Sequence, residues 1–119
     1  MARLWGGNAE ELFGAGQFEL STEHRASSTD FGDLAHIMPA VQPYIAGAAG
    51  GGHTNGYLLV DQDAVYVKSA KLLAMTAIDL LYDNAETARR ILREDKPRMT
   101  REQYLGYQRK LDSTELFQP

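Results

Sequence analysis

The sequence predicts a helix-rich α/β fold with few strands and three or more helices. Two observations lead to this prediction. Helix signals with their capping residues follow one another from residue 61 towards the C-terminal end. Before them, the short apolar stretch "VQPYIAG" (41–47) runs into a glycine-rich loop, as a strand does at a strand-to-helix junction. A chain of 119 residues forms one domain or a piece of one, so residues 1–119 are treated as a single segment.

Short elements are predicted in the first half of the chain. Residues 8–13, "NAEELF", read as a helix capped by Asn8, with Glu11 placed for a capping box. "QFEL" (17–20) and the stretch 41–47 read as strands, and the second of these should be buried.

A further short helix is predicted between these two strands. "SSTDFGDLAHIMP" (27–39) reads as a loop that enters a helix, with Pro39 ending it. Ser28, Thr29 and Asp30 are its alternative capping residues.

Three helices are predicted in the second half. The first spans 61–84, and we expect Val65, Leu72, Ile78 and Leu81 on its apolar side and Lys68, Lys71 and Asp79 on its solvent side. The second spans 83–95 and begins at Asp83 or Asn84. The third spans 100–112, with a capping box formed by Thr100 and Gln103. Residues 97–119 are expected to form a peripheral helical tail.

Composition and charge exclude several classes of protein. The net charge of −4 gives no broad positive field for nucleic acid or an anionic membrane surface. Because the chain has no cysteine, disulfide frameworks and thiolate metal sites are excluded. The first fourteen residues contain no apolar run of the kind a signal peptide needs, and Lys68, Lys71 and Asp79 interrupt the longest apolar stretch. We therefore expect a cytoplasmic protein with neither nucleic acid nor a membrane as partner.

The three histidines are the first candidates for chemistry. His24 lies between Glu23 and Arg25 and reads as part of a solvated turn. His36 would share a helix face with Asp33, a spacing that arises often by chance, so a structural role is favoured over metal binding. His53 follows three glycines, which remove side-chain bulk and let the backbone approach a ligand. For His53 a metal ligand and an anion-binding or simply mobile loop are equally favoured.

Several motifs in order resemble a known family. These are Ser28-Thr29-Asp30 with Gly32 and Asp33, then Met38-Pro39, then Gln42-Pro43-Tyr44 with Gln in place of His, then His53-Thr54, and last the helix from Ala70 to Leu81. Over residues 20–110 the chain resembles the C-terminal part of the zinc-dependent amidohydrolases related to aminoacylase and carboxypeptidase G. It is most similar to the branch that contains aminobenzoyl-glutamate hydrolase and β-alanyl-lysine-type dipeptidase.

The resemblance implies a fragment of a zinc-peptidase-like catalytic domain. It implies that His53 is the last ligand of a two-metal centre holding zinc or another divalent metal, and that the full-length parent hydrolyses an amide bond in an N-acyl amino acid or dipeptide-like substrate. Ser28, Thr29, Asp30 and Thr54 would support the loop or contact substrate, and the backbone N–H groups at Gly51 and Gly52 would meet a substrate carboxylate.

The chain departs from the family in what it lacks. It has no His-x-Asp pair, and Glu10-Glu11 lies in the wrong order and context to be the tandem acidic pair. One histidine cannot hold a two-metal centre, so the chain alone is not expected to bind the metal pair or to be active. No residue of this chain is therefore assigned as catalytic. The alternatives are a non-catalytic homo-oligomeric interaction module and a pseudoenzyme subunit that lends His53 to a partner chain.

Two expectations concern the structure. We expect His53 to be solvent-accessible at the carboxyl end of a strand around 41–45, and to share a cleft with Asp30 and Thr54. We also expect a partner surface, covered either by a second copy of the chain or by the missing N-terminal half of the catalytic domain.

Overall fold

The computed structural model describes residues 1–21 and 29–112. Over these residues the chain forms four α-helices, a π-helical turn and one two-stranded sheet. In chain order they are α1 (Ala2–Phe13), α2 (Phe31–Ile37), β1 (Ala48–Ala49), β2 (Leu58–Leu59), the π-helical turn (Asp63–Lys68), α3 (Ser69–Glu94) and α4 (Arg101–Leu111). The predicted helix-rich α/β class is therefore confirmed at this coarse level.

Helix α1 begins six residues earlier than the sequence predicts. Trp5 and Ala9 lie one turn apart and are both buried, so the helix presents them together to the core. Asn8 lies within this helix and is itself buried. The prediction that Asn8 caps a helix over 8–13 is wrong, because burying Trp5 extends the helix towards Ala2.

The two predicted strands are also wrong. Residues 17–20 and 41–47 form no strand. Among the described residues, the only strand pairing is antiparallel, between Ala48 and Leu59 and between Ala49 and Leu58. A strand needs a neighbouring strand for its backbone hydrogen bonds, and neither stretch has one. Their apolar residues Phe18, Val41 and Ile45 instead pack against the core from irregular segments.

The long helical region after residue 61 is confirmed, with two departures from a regular helix. The carboxylate of Asp61 accepts a hydrogen bond from the backbone N–H of Ala64 at 3.0 Å, and the first turn that follows is π-helical. Helix α3 is then broken at residues 82–85, where Asp83, Asn84 and Ala85 have φ of +49°, +56° and +59°. This break divides α3 at the point where the sequence predicts a second helix.

The face that α3 buries differs from the predicted one. Leu72 and Thr76 are buried, and α3 packs against α1. The side-chain amide of Asn8 on α1 donates to the Thr76 hydroxyl at 3.3 Å and to the Asp79 carboxylate at 2.7 Å. Asp79 thus lies on the packed side rather than on the solvent side, because a buried amide from the neighbouring helix needs an acceptor there.

Helices α2 and α4 form a second packing unit. The prediction for α4 is confirmed, including the reciprocal hydrogen bonds between Thr100 and Gln103. The predicted end of α2 before Pro39 is also confirmed. The backbone N–H of Met99 donates to the carbonyl oxygen of His36 at 3.0 Å, which fixes the α3–α4 linker to α2. The described part of the predicted tail is therefore anchored through α2.

The chain buries little of its surface on folding. Its fully buried apolar residues are Trp5, Ala9, Ala64 and Leu72 over the described ranges. The accessible surface is 9857 Å², whereas a folded monomer of this mass exposes about 6,400 Å². The radius of gyration is 18.2 Å, against about 13.5 Å for a compact domain of this length. A large share of the apolar surface is therefore left without a neighbour.

Candidate functional site

His53 lies in the loop of the β1–β2 hairpin, which spans residues 50–57. Its side chain is exposed, as predicted, and its φ is +61°. Left-handed backbone is uncommon for residues other than glycine, although asparagine, aspartate and histidine adopt it several-fold more often than the others. The predicted place at the end of a strand over 41–45 is wrong, since no strand forms there. His53 instead lies in the loop that connects β1 and β2, outside the paired residues.

Thr54 organises this loop. Its hydroxyl donates to the carbonyl oxygen of Gly51 at 2.8 Å and accepts from the backbone N–H of Gly56 at 3.3 Å. Its carbonyl oxygen accepts from the N–H of Tyr57 at 3.3 Å. Thr54 thus bonds to the loop on both sides of His53, which agrees with the loop-supporting role predicted for it.

The glycines around His53 have two different roles. Gly50 has φ of +85°, and a Cβ there would collide with the carbonyl group of Gly56, so this position requires glycine. Gly47 has φ of +149°, and a Cβ there would lie 2.6 Å from a methyl group of Val65. A Cβ on Gly52 would meet nothing within 4 Å. Close contacts therefore explain why positions 47 and 50 are glycines, whereas the space around Gly52 would accommodate a side chain.

The open part of the loop leaves backbone donors available. Within residues 1–21 and 29–112, the N–H groups of Gly52 and His53 have no hydrogen-bond acceptor. Both residues are exposed. This arrangement can accept an anionic group from outside the chain, such as a carboxylate.

Thr29 and Asp30 lie at the start of α2. Thr29 supplies the capping oxygen, because its hydroxyl accepts from the backbone N–H of Phe31 at 3.3 Å, whereas the Asp30 side chain makes no capping bond. The Thr29 hydroxyl also accepts from the side-chain amide of Gln42 at 3.4 Å. Ser28, the third predicted capping residue, was also expected to support the loop or contact substrate; it lies outside the described residues, as does His24.

A cavity of about 420 Å³ lies beside α2, between its C-terminal end and the α3–α4 linker. Gly32 and His36 line it, together with Lys96 and Arg98 from the linker. Neither Asp30 nor His53 is among its lining residues. This cavity is therefore a different place from the cleft that the sequence predicts for those two residues.

The side chain of His36 is fixed within its own helix. Its Nδ1 lies 2.6 Å from the carbonyl oxygen of Gly32, and because a carbonyl only accepts, Nδ1 carries the proton. The ring is half-buried. This is the structural role that the sequence favoured for His36. Its predicted face partner Asp33 instead lies near Tyr104 on α4. Burial and the neighbouring Asp33 carboxylate hold the pKa of Tyr104 above its ordinary value.

The described residues do not assemble a metal centre by themselves. No group of three or more histidine, aspartate or glutamate residues that could hold a metal ion occurs within 1–21 and 29–112. A two-metal centre needs several such ligands, so the donor set described here does not fit one. His53 could supply one imidazole, and any further ligands would have to come from elsewhere.

One apolar face of the π-helical turn and α3 is not covered by any described residue. We call it the bare face; its residues, all exposed, are Tyr66, Val67, Ala70, Leu73, Ala74, Ala77, Ile78 and Leu81. The opposite side of α3 is covered by α1 through Leu72 and Thr76. The alanine-rich middle of the helix predicts close packing on a neighbour, but Ile78 and Leu81 were expected on the same apolar side as Leu72. In the structure they are 63% and 70% exposed.

No protein-family model matches the chain, and neither a curated protein nor a solved structure matches it significantly. The helices of the described residues include none that is both long enough and apolar enough to cross a membrane.

Proposed function

We propose that this chain forms the C-terminal part of the catalytic domain of a metal-dependent amidohydrolase and is inactive alone. The observation that carries the proposal is the presentation of His53. An exposed imidazole stands in left-handed backbone, and Thr54 bonds to the loop on both sides of it. A loop that only had to turn could have glycine at this position, which adopts left-handed backbone freely, so the imidazole itself is what the loop presents.

The bare face supports the same proposal. Helix α3 has apolar residues on two sides, and α1 covers only one of them. The apolar face of a helix is normally buried against a neighbouring element. In this proposal the rest of the catalytic domain covers the bare face and brings the remaining metal ligands and the general base to His53.

The chain's own contribution to the reaction is limited and specific. In the assembled enzyme a divalent metal would supply polarisation of the amide and an activated water. This chain would provide one imidazole from His53. The free N–H groups of Gly52 and His53 would bind the substrate's carboxylate and so orient an N-acyl amino acid or a dipeptide-like molecule. The proposal places this hydrolase in the cytoplasm.

The test begins with the genomic sequence upstream of Met1. We expect an in-frame extension that encodes a His-x-Asp motif and a Glu-Glu pair. The extended protein should hydrolyse aminobenzoyl-glutamate or a β-alanyl dipeptide when zinc is supplied. His53→Ala should abolish that activity, and His36→Ala, which removes a histidine bonded within α2, should retain it. An extended protein that is equally active with His53→Ala would refute the proposal, as would the absence of both motifs upstream.

A second candidate function follows from the bare face alone. If a second copy of the chain covers it, the protein is a homo-oligomeric interaction module or a pseudoenzyme subunit. Each chain exposes about 3,400 Å² more than a compact monomer of its mass, or about 6,800 Å² over two copies, which is more than the roughly 2,000–5,000 Å² that obligate dimers commonly bury in total. Light scattering separates the candidates: a stable two-fold dimer of the 119-residue chain favours this one, and a monomer that binds only the extension favours the hydrolase.

A further inference from the structure

The cavity beside α2 has a charge that contrasts with the rest of the chain. The chain carries a net charge of −4, yet two cationic side chains, Lys96 and Arg98, line this cavity, against one carboxylate, Asp95. Within residues 1–21 and 29–112 neither cation forms an ion pair; the two ion pairs found there join Lys68 to Asp63 and Arg93 to Glu86. The cavity therefore holds positive charge that is not neutralised by the described part of the chain.

The walls of the cavity are fixed by contacts that do not involve its charges. Pro97 restricts the linker between the two cations, and the bond from the Met99 N–H to the His36 carbonyl ties the linker to α2. The His36 ring is held by the bond from its Nδ1 to the carbonyl oxygen of Gly32.

The cavity is also lined by the apolar residues Met38, Pro39 and Pro97. Its volume of about 420 Å³ is in the range that holds a small organic molecule. A lining that combines cationic and apolar side chains suits a ligand that has an oxyanion and a hydrocarbon portion next to it. Arginine is well suited to this task because its planar guanidinium binds carboxylate or phosphate through two parallel hydrogen bonds.

We propose that this cavity is a binding site for a small molecule bearing an oxyanion, with Lys96 and Arg98 contacting the charged group. The site is separate from His53, so it does not depend on the proposed hydrolase function. The oxyanion is a carboxylate or a phosphate group, since both present the oxygen geometry that Arg98 can bind.

The test is a titration followed by ¹H–¹⁵N NMR on the full 119-residue chain at constant ionic strength. Inorganic phosphate and acetate are the two probes, and sodium chloride is the reference. We expect the backbone amides of Asp95, Lys96, Arg98, Met99 and His36 to shift and to saturate with phosphate or acetate but not with chloride. Stronger binding of phosphate identifies a phosphate site and stronger binding of acetate a carboxylate site; both support the proposal.

The variant Lys96→Ala/Arg98→Ala should weaken binding of the preferred probe about tenfold or more, because it removes both charge-assisted contacts. The control Lys71→Ala/Arg90→Ala removes the same charge from exposed positions outside the cavity and should stay within about twofold of the unmodified chain. Since all four side chains are exposed, both variants should keep the native spectrum. The proposal is overturned if neither phosphate nor acetate saturates the chain. It is overturned equally if the control variant weakens binding of the preferred probe as much as Lys96→Ala/Arg98→Ala does.

Discussion

Two adjacent leucines on α3 provide the sharpest test of how this chain is packed. Leu72 is 1% exposed and belongs to the core cluster with Trp5 and Ala9, whereas Leu73 is 61% exposed on the bare face. Leu72→Ala removes three carbon atoms from the core. At about 0.8 kcal/mol for each buried methylene the transfer loss is about 2.4 kcal/mol, and the cavity left behind brings the total to about 3–4 kcal/mol.

This loss should be visible in thermal unfolding. The entropy of unfolding is about 2.1 cal/mol/K per residue, or about 0.25 kcal/mol/K for this chain, so Tm should fall by about 12–16 °C. Leu73→Ala is the matched control, because it deletes the same atoms one residue away. In a dilute monomer it should change the free energy of unfolding by less than about 0.5 kcal/mol.

Circular dichroism at two protein concentrations measures both effects. If Leu73→Ala lowers Tm only at the higher concentration, the bare face is covered by a second copy, since association makes Tm depend on concentration. The packing described above is refuted if Leu72→Ala changes the free energy of unfolding by less than about 1 kcal/mol. It is refuted equally if both variants destabilise the dilute monomer to the same extent.

Three further predictions address the hairpin, the α2–α4 contact and the start of α4. Gly50→Ala should raise amide hydrogen exchange across the β1–β2 hairpin, because the added Cβ meets a backbone carbonyl in left-handed geometry, whereas Gly52→Ala, with open space around it, should not. Asp33→Asn should lower the pKa of Tyr104 part of the way to its ordinary value, since the carboxylate charge is lost but burial persists; NMR titration of ring-labelled tyrosine measures this, and an unchanged pKa would contradict the contact. Thr100→Ala removes the capping box and should destabilise α4 by about 1 kcal/mol, measured as faster amide exchange in its first turn, whereas unchanged exchange would show that the cap is not needed.

The sequence predicts correctly those elements whose signals are local. The Thr100 and Gln103 pair appears in the structure as a capping box, because both partners lie within one turn. Proline disfavours helical backbone in the residue before it, which explains why α2 ends before Pro39. Asp83 and Asn84 have residue types that adopt left-handed backbone more readily than most, and α3 is divided there. The exposure of His53 follows from its neighbouring glycines in the same way. For these features the interacting groups are close along the chain, so no knowledge of the tertiary structure is needed.

Only the tertiary structure decided the features that depend on distant residues. Asn8 has the residue type of a helix cap, but it is buried and bonded to residues 68 and 71 positions away, and the burial of Trp5 extends α1 back to Ala2. The stretch 41–47 has the apolar character of a strand but finds no strand to pair with. The side of α3 that is buried was likewise set by where α1 packs, not by the helix's own pattern. An amphipathic pattern records which residues can be buried, whereas a neighbouring element determines which of them are, because burial and hydrogen bonding need a partner in space.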